Sequence, residues 1–129
     1  MKQLRAYAGA PLALPLQRVA EKIWADETHV DHNRALYIEK YHLADEIFAG
    51  VTGYRPPQAG FFLWLPVADA ETAALKLWWE TGVRVLPGPY LEREVNGINP
   101  GDGYIRVALV AARDELHRGL TALRNCLYG

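Results

Sequence analysis

Apolar positions along the chain fall into helical and strand periods in turn. Leu16, Val19, Ala20, Ile23 and Trp24 recur at i, i+3, i+4, i+7 and i+8, which predicts a helix over about residues 15–25 with one apolar face. Residues 1–15 read as irregular, because Tyr7–Pro15 holds two prolines and a glycine in nine positions. That stretch is apolar for a loop, so a covering surface is expected over it. Asp26-Glu27-Thr28-His29 interrupts the pattern, and a second helix is predicted over about 30–49. Its stripe is Leu36, Tyr37, Tyr41, Leu43, Ala44, Ile47 and Phe48. Its polar side is Asp31, Arg34, Glu39, Lys40, Asp45 and Glu46, and Gly50 and Gly53 are stop signals.

After a connector over 54–60, Phe61–Val67 reads as a strand apolar on both faces, hence central or covered on both sides. Asp69 is placed to cap a helix over about 70–81, whose stripe is Ala70, Ala73, Ala74, Leu77 and Trp78 and whose end is Gly82. Val83–Leu86 reads as a short strand stopped by Pro87-Gly88-Pro89. Asn96-Gly97, Asn99-Pro100 and Gly101-Asp102-Gly103 mark 90–103 as a long loop, a class of segment that is often functional. A strand over 103–110 follows, then a helix from about Asp114 with Leu116, Leu120, Leu123 and Leu127 on one face. From residue 54 onward the order is strand, helix, strand, loop, strand, helix. This predicts an α+β fold: a small three-stranded sheet covered by helices on one face, preceded by two helices.

The 103–110 strand carries the sharpest chemical signal. Side chains alternate across a strand, so Ile105, Val107 and Leu109 share one face and Tyr104, Arg106, Ala108 and Val110 the other. A guanidinium does not lose its charge at physiological pH and is costly to bury alone. Arg106 must therefore reach water, pair with a carboxylate of the protein, or receive a carboxylate from a ligand.

Composition narrows the partners. The chain has 129 residues and a formal net charge of −1, enough for one modest core and without the basic stripe that nucleic acid or anionic lipid requires. No apolar run approaches the ~20 residues of a membrane span, and the first residues lack the apolar core of a secretion signal. The single cysteine, Cys126, makes no internal disulfide and reads as a small hydrophobe near the last helix, which suits a reducing cytoplasm. Serine is absent, so no serine nucleophile exists. His29 and His32 flank Asp31 at i, i+3, a weak metal-ligand spacing; His42 and His117 read as surface residues. No phosphate-binding glycine loop, zinc-protease motif or nucleophile elbow occurs. The residues alone give part of a site.

Three segments have recognisable company. Gly60-Phe61-Phe62-Leu63-Trp64, Gly82-Val83-Arg84-Val85-Leu86-Pro87-Gly88 and Gly103-Tyr104-Ile105-Arg106-Val107-Ala108-Leu109 resemble successive motifs of the small, C-terminal domain of class I/II aminotransferases, pyridoxal-phosphate enzymes of fold type I. Leu4–Pro11 resembles the part of the large domain that follows the cofactor lysine. The spellings over 86–91 and 96–101 are most similar to the N-succinyl-diaminopimelate aminotransferase branch of lysine biosynthesis.

The resemblance implies a division into 1–29, the tail of a large domain, and 30–129, the small domain. It implies that Arg106 binds the substrate's α-carboxylate and that Phe62 lines the substrate side of the site. It implies pyridoxal 5'-phosphate as the cofactor of the full-length family, held by groups outside this chain. Lys2, Lys22, Lys40 and Lys76 match none of the family's cofactor-lysine surroundings. The expectation is a C-terminal fragment (a truncation, a proteolytic product or one half of a split gene) that is inactive by itself and needs a large domain. Its bare apolar stripe over 16–24 is expected to favour a homo-oligomer in which residues 1–30 meet another copy. The alternatives are a fragment of an aspartate- or aromatic-type aminotransferase, or a non-catalytic carboxylate-binding or oligomerisation module.

Overall fold

The structure, a computed structural model, describes residues 12–129. The apolar segment before the first helix falls mostly outside them, as does the whole of Leu4–Pro11. The described residues divide into two compact units, one ending at Ala35 and one running from Leu36 to Gly129. The first holds helix α1 (Leu14–Trp24) and the start of helix α2 (Thr28–Ile47). Pro15 stands in the first turn of α1, where its missing N–H costs nothing. The Asp26 side chain accepts from the Thr28 backbone N–H at 3.0 Å as α2 begins, and hydrogen bonding from Thr28, its side chain first and then its backbone, lowers the carboxyl's pKa.

In the second unit, strands β1 (Phe62–Pro66), β2 (Leu86–Pro87) and β3 (Tyr104–Ala108) form an antiparallel sheet in the order β1-β3-β2. Helices α3 (Ala70–Thr81) and α4 (Arg113–Tyr128) and the second half of α2 supply the rest of the core. Leu63 and Leu65 on β1 and Ile105 and Val107 on β3 meet Leu77 of α3, Leu120 and Leu123 of α4, and Leu43, Ala44 and Phe48 at the end of α2. This is the expected α+β arrangement.

The local chemistry explains the element ends. Asp69 caps α3, its Oδ1 accepting from the Thr72 N–H at 2.7 Å, and Gly82 closes the helix at φ 72°, a conformation costly for any side chain bearing a Cβ. Alanines at 70 and 73 let α3 lie close against its neighbours. The hydroxyl of Tyr128 ties the end of α4 to the Pro66 carbonyl at 2.8 Å.

Two expectations are corrected. β1 is an edge strand, and Trp64 on its outer face is 37% exposed. Its two-sided apolar character reflects an aromatic outer face rather than a central position. The short strand lies at Leu86–Pro87 instead of Val83–Leu86. The Val83 N–H is taken by Thr81 Oγ1 at 3.2 Å as the chain leaves α3, so pairing with β3 starts later. Pro87 is tolerated because β2 is an edge.

The 88–103 segment is ordered by its own bonds. Val95 and Ile98 pair across Asn96 and Gly97, both at positive φ, as a tight hairpin requires. Asn99 donates to the Pro89 carbonyl at 3.1 Å and accepts from the Gly101 N–H at 2.9 Å. Gly88 and Gly101 touch backbone to backbone, where a Cβ on either would collide with the other. This contact brings the end of β2 beside the start of β3.

Candidate functional site

Arg106 lies in the middle of β3, the central strand, with Trp64 of β1 opposite it on one side and Leu86 of β2 on the other. Its position is enforced by its neighbours: Ile105 and Val107 are buried beneath the helices, so alternation turns Arg106 to the opposite face. That face is bare among the described residues. Tyr104 is 38% exposed, Ala108 is exposed, and Arg106 itself is half-buried.

The guanidinium carbon sits 4.1 Å from the centroid of the Phe62 ring. Phe62 in turn meets Phe61, with centroids 4.3 Å apart, and Phe61 meets Tyr37 of α2 at 6.0 Å. Trp64 and Tyr104 form a separate edge-to-face pair at 6.4 Å. Arg106 pairs with no carboxylate among the described residues; the ion pair present there joins Arg34 and Asp31 at 3.4 Å. Of the three fates open to this charge, an internal ion pair is set aside among the described residues, and the half-buried side chain stays within reach of water and of a ligand. What remains is a half-desolvated cation with its donors uncommitted, next to aromatic rings. Such a group takes a carboxylate through two parallel charge-assisted hydrogen bonds.

Arg106 and Phe62 are thus brought together. The Phe61–Val67 strand is expected to be central or covered on both sides, and its Trp64 is instead a partly exposed cross-strand neighbour of the arginine. The register supplies that information, and it depends on which strand is central.

The remaining candidates resolve into structural roles. Cys126 Sγ lies 3.3 Å from Glu80 Oε2; burial first, then that carboxylate, pushes the thiol's pKa up, which leaves it a poor nucleophile. His29, His32, His42 and His117 are exposed, and no cluster able to hold a metal occurs among the described residues. Tyr54 donates to Asp45 Oδ1 at 2.6 Å, and burial, then that bond, raises its pKa.

The described residues do not make a pyridoxal-phosphate site. Lys40 Nζ donates to the Leu109 carbonyl at 2.8 Å, Lys76 Nζ donates to the Cys126 carbonyl at 2.9 Å, and Lys22 lies exposed on α1. None stands with a carboxylate and an anion cradle, as that group requires.

A helix-backed sheet with an open, arginine-bearing face defines a small α+β domain. No protein-family model matches the chain. In sequence, 122 residues are 27% identical to an LL-diaminopimelate aminotransferase of Dehalococcoides mccartyi, covering 92% of this chain and 30% of the relative. In structure, an aminotransferase from Neisseria meningitidis matches with a TM-score of 0.86 and 36% identity, over 95% of this chain and 32% of that one. A probable N-succinyldiaminopimelate aminotransferase from Thermus thermophilus matches with a TM-score of 0.56 and 32% identity, over 70% of this chain and 24% of that one.

The chain's relatives in sequence and neighbours in structure are aminotransferases, and its fold is that of their small domain. The chain spans about 30% of the length of the curated relatives it matches. Pyridoxal phosphate is the cofactor that this family implies. No helix among the described residues is long and apolar enough to cross a membrane.

Proposed function

We propose that this chain is the small-domain part of an amino-group-transferring enzyme, and that Arg106 receives the α-carboxylate of the amino acid or 2-oxo acid. The observation that carries the reading is a half-buried guanidinium on the central strand, against Phe62, with no carboxylate partner among the described residues. A rigid strand holds the bound carboxylate in one place, so the reacting carbon keeps a fixed orientation. When bound, pyridoxal phosphate would supply the electron sink, through a lysine on a polypeptide outside this sequence. The isolated chain is therefore inactive in transamination. N-succinyl-diaminopimelate with glutamate is the proposed substrate pair, supported by the 86–91 and 96–101 spellings and by the likeness to the probable N-succinyldiaminopimelate aminotransferase of Thermus thermophilus.

In this reading residues 1–29 belong with the large domain and 30–129 form the small domain. The setting is a reducing cytoplasm. Leu16, Val19, Ile23 and Trp24 of α1 are 48–80% exposed, a surface suited to another copy of the chain, so residues 1–30 are proposed as the contact of a homo-oligomer. Light scattering that finds only monomer at high concentration removes that last point.

The main test titrates 2-oxoglutarate and L-glutamate into the chain, followed by side-chain arginine resonances. Mixing the chain with a separately produced large domain of the Neisseria meningitidis aminotransferase and pyridoxal phosphate should restore transfer. Both binding and transfer should disappear in Arg106→Ala. Carboxylate binding that Arg106→Ala leaves intact overturns the assignment.

A further inference from the structure

The face around Arg106 is asymmetric in a way that its cross-strand register does not require. Trp64 lies directly opposite the arginine, whereas Phe62 is its diagonal neighbour and is paired with Ala108. The guanidinium nevertheless sits over Phe62, and Trp64 engages Tyr104 instead. Ala108 makes this lean available: its methyl leaves room across the strand pair for the arginine stem, which a longer side chain would fill. The ring that receives the charge is itself held, because Phe62 rests on Phe61 and Phe61 on Tyr37. A cation over an aromatic face is attracted by the ring quadrupole, more strongly as water is excluded.

From this we infer that Phe62 is a positioning residue. Its face is occupied by the guanidinium, so it acts on a ligand through Arg106, holding one rotamer of a long side chain and leaving the fork of N–H donors free at the edge. This inference rests on the carboxylate reading above. An arginine already ordered loses less rotamer freedom on binding than one searching solvent, so the contribution of Phe62 appears as affinity.

The test uses the 129-residue chain with 2-oxoglutarate as the probe. In the wild type the Arg106 Nε–H resonance should lie upfield of the other arginines, shifted by the Phe62 ring current. Phe62→Leu should return it among them and weaken binding by about three- to tenfold. Phe62→Tyr, which keeps a ring, should recover both the shift and the affinity. Ala108→Leu leaves Phe62 intact but blocks the path, and should reproduce the Phe62→Leu result at an exposed site that tolerates substitution. Binding lost in Arg106→Ala but unchanged in Phe62→Leu and Ala108→Leu overturns the positioning role alone. Binding that is absent from the wild type, or unchanged in Arg106→Ala, overturns the carboxylate reading and this inference with it.

Discussion

The two faces of β3 obey different physical demands. Ile105 and Val107 are 0% and 5% exposed beneath the helices, while Tyr104 and Ala108 are exposed and Arg106 is half-buried on the other side. The covered face sets the register. A slip of one residue would turn Arg106 into the core and Ile105 out, and burying an unpaired guanidinium there is prohibitive. The core therefore turns Arg106 to the opposite face, and the bare face can carry a charge at little cost to folding. Stability and binding should separate along one strand, residue by residue.

The largest expected effect lies on the covered face. Leu65→Ala removes a fully buried side chain opposite Ile105 and should cost about 3–5 kcal/mol in chemical denaturation, a large part of a small domain's stability. A loss under 1 kcal/mol would show that the sheet and helices do not share one packed core. On the bare face the currencies reverse. Arg106→Ala should leave the unfolding midpoint almost unchanged, since it deletes no ion pair among the described residues. Its affinity for 2-oxoglutarate should fall by about ten- to a hundredfold, the range of a charge-assisted hydrogen-bond pair. An Arg106→Ala chain as destabilised as Leu65→Ala would erase the distinction between the faces.

How much of this was readable in advance depends on whether a signal is local. The Asp69 cap, the Gly82 stop and the Asn96-Gly97 turn are set by one or two side chains and stand where their residues predict. The alternation around Arg106 was equally plain, because Ile105, Val107 and Leu109 leave only one face for the charge. Strand order was not legible: β1 is apolar on both sides for two different reasons, core on one and aromatic lining on the other. Nor does periodicity separate α1 from α4. Both carry an apolar stripe at helical spacing, yet Leu116, Leu120 and Leu123 are buried while Leu16, Val19 and Ile23 are about half exposed. Amphipathic spacing states that a face is apolar, and only the tertiary structure states what meets it. The Arg106–Phe62 contact belongs to the same class, since it needs the pairing of β1 with β3 and the small Ala108 between them.

A smaller effect, on the covered side again, comes from Tyr128. Its hydroxyl donates to the Pro66 carbonyl, and burial pushes its pKa from 10.0 to about 12. Between those values the folded chain keeps a phenolic proton that the unfolded chain has lost. The unfolded state binds fewer protons there, so stability falls as pH rises. The contribution is whole below about pH 10 and is lost as pH climbs through 12. Tyr54, raised in the same direction by burial and by Asp45, adds to the decline. Tyr128→Phe should cost about 1 kcal/mol at neutral pH through the missing hydrogen bond, and should make the alkaline decline shallower while Tyr54 keeps it from vanishing. Urea unfolding at several pH values from 8 to 12 measures both quantities. An alkaline decline as steep in Tyr128→Phe as in the wild type would mean that this phenol is ionised as readily in the folded chain as outside it, and that the end of α4 does not seal the covered side of β1.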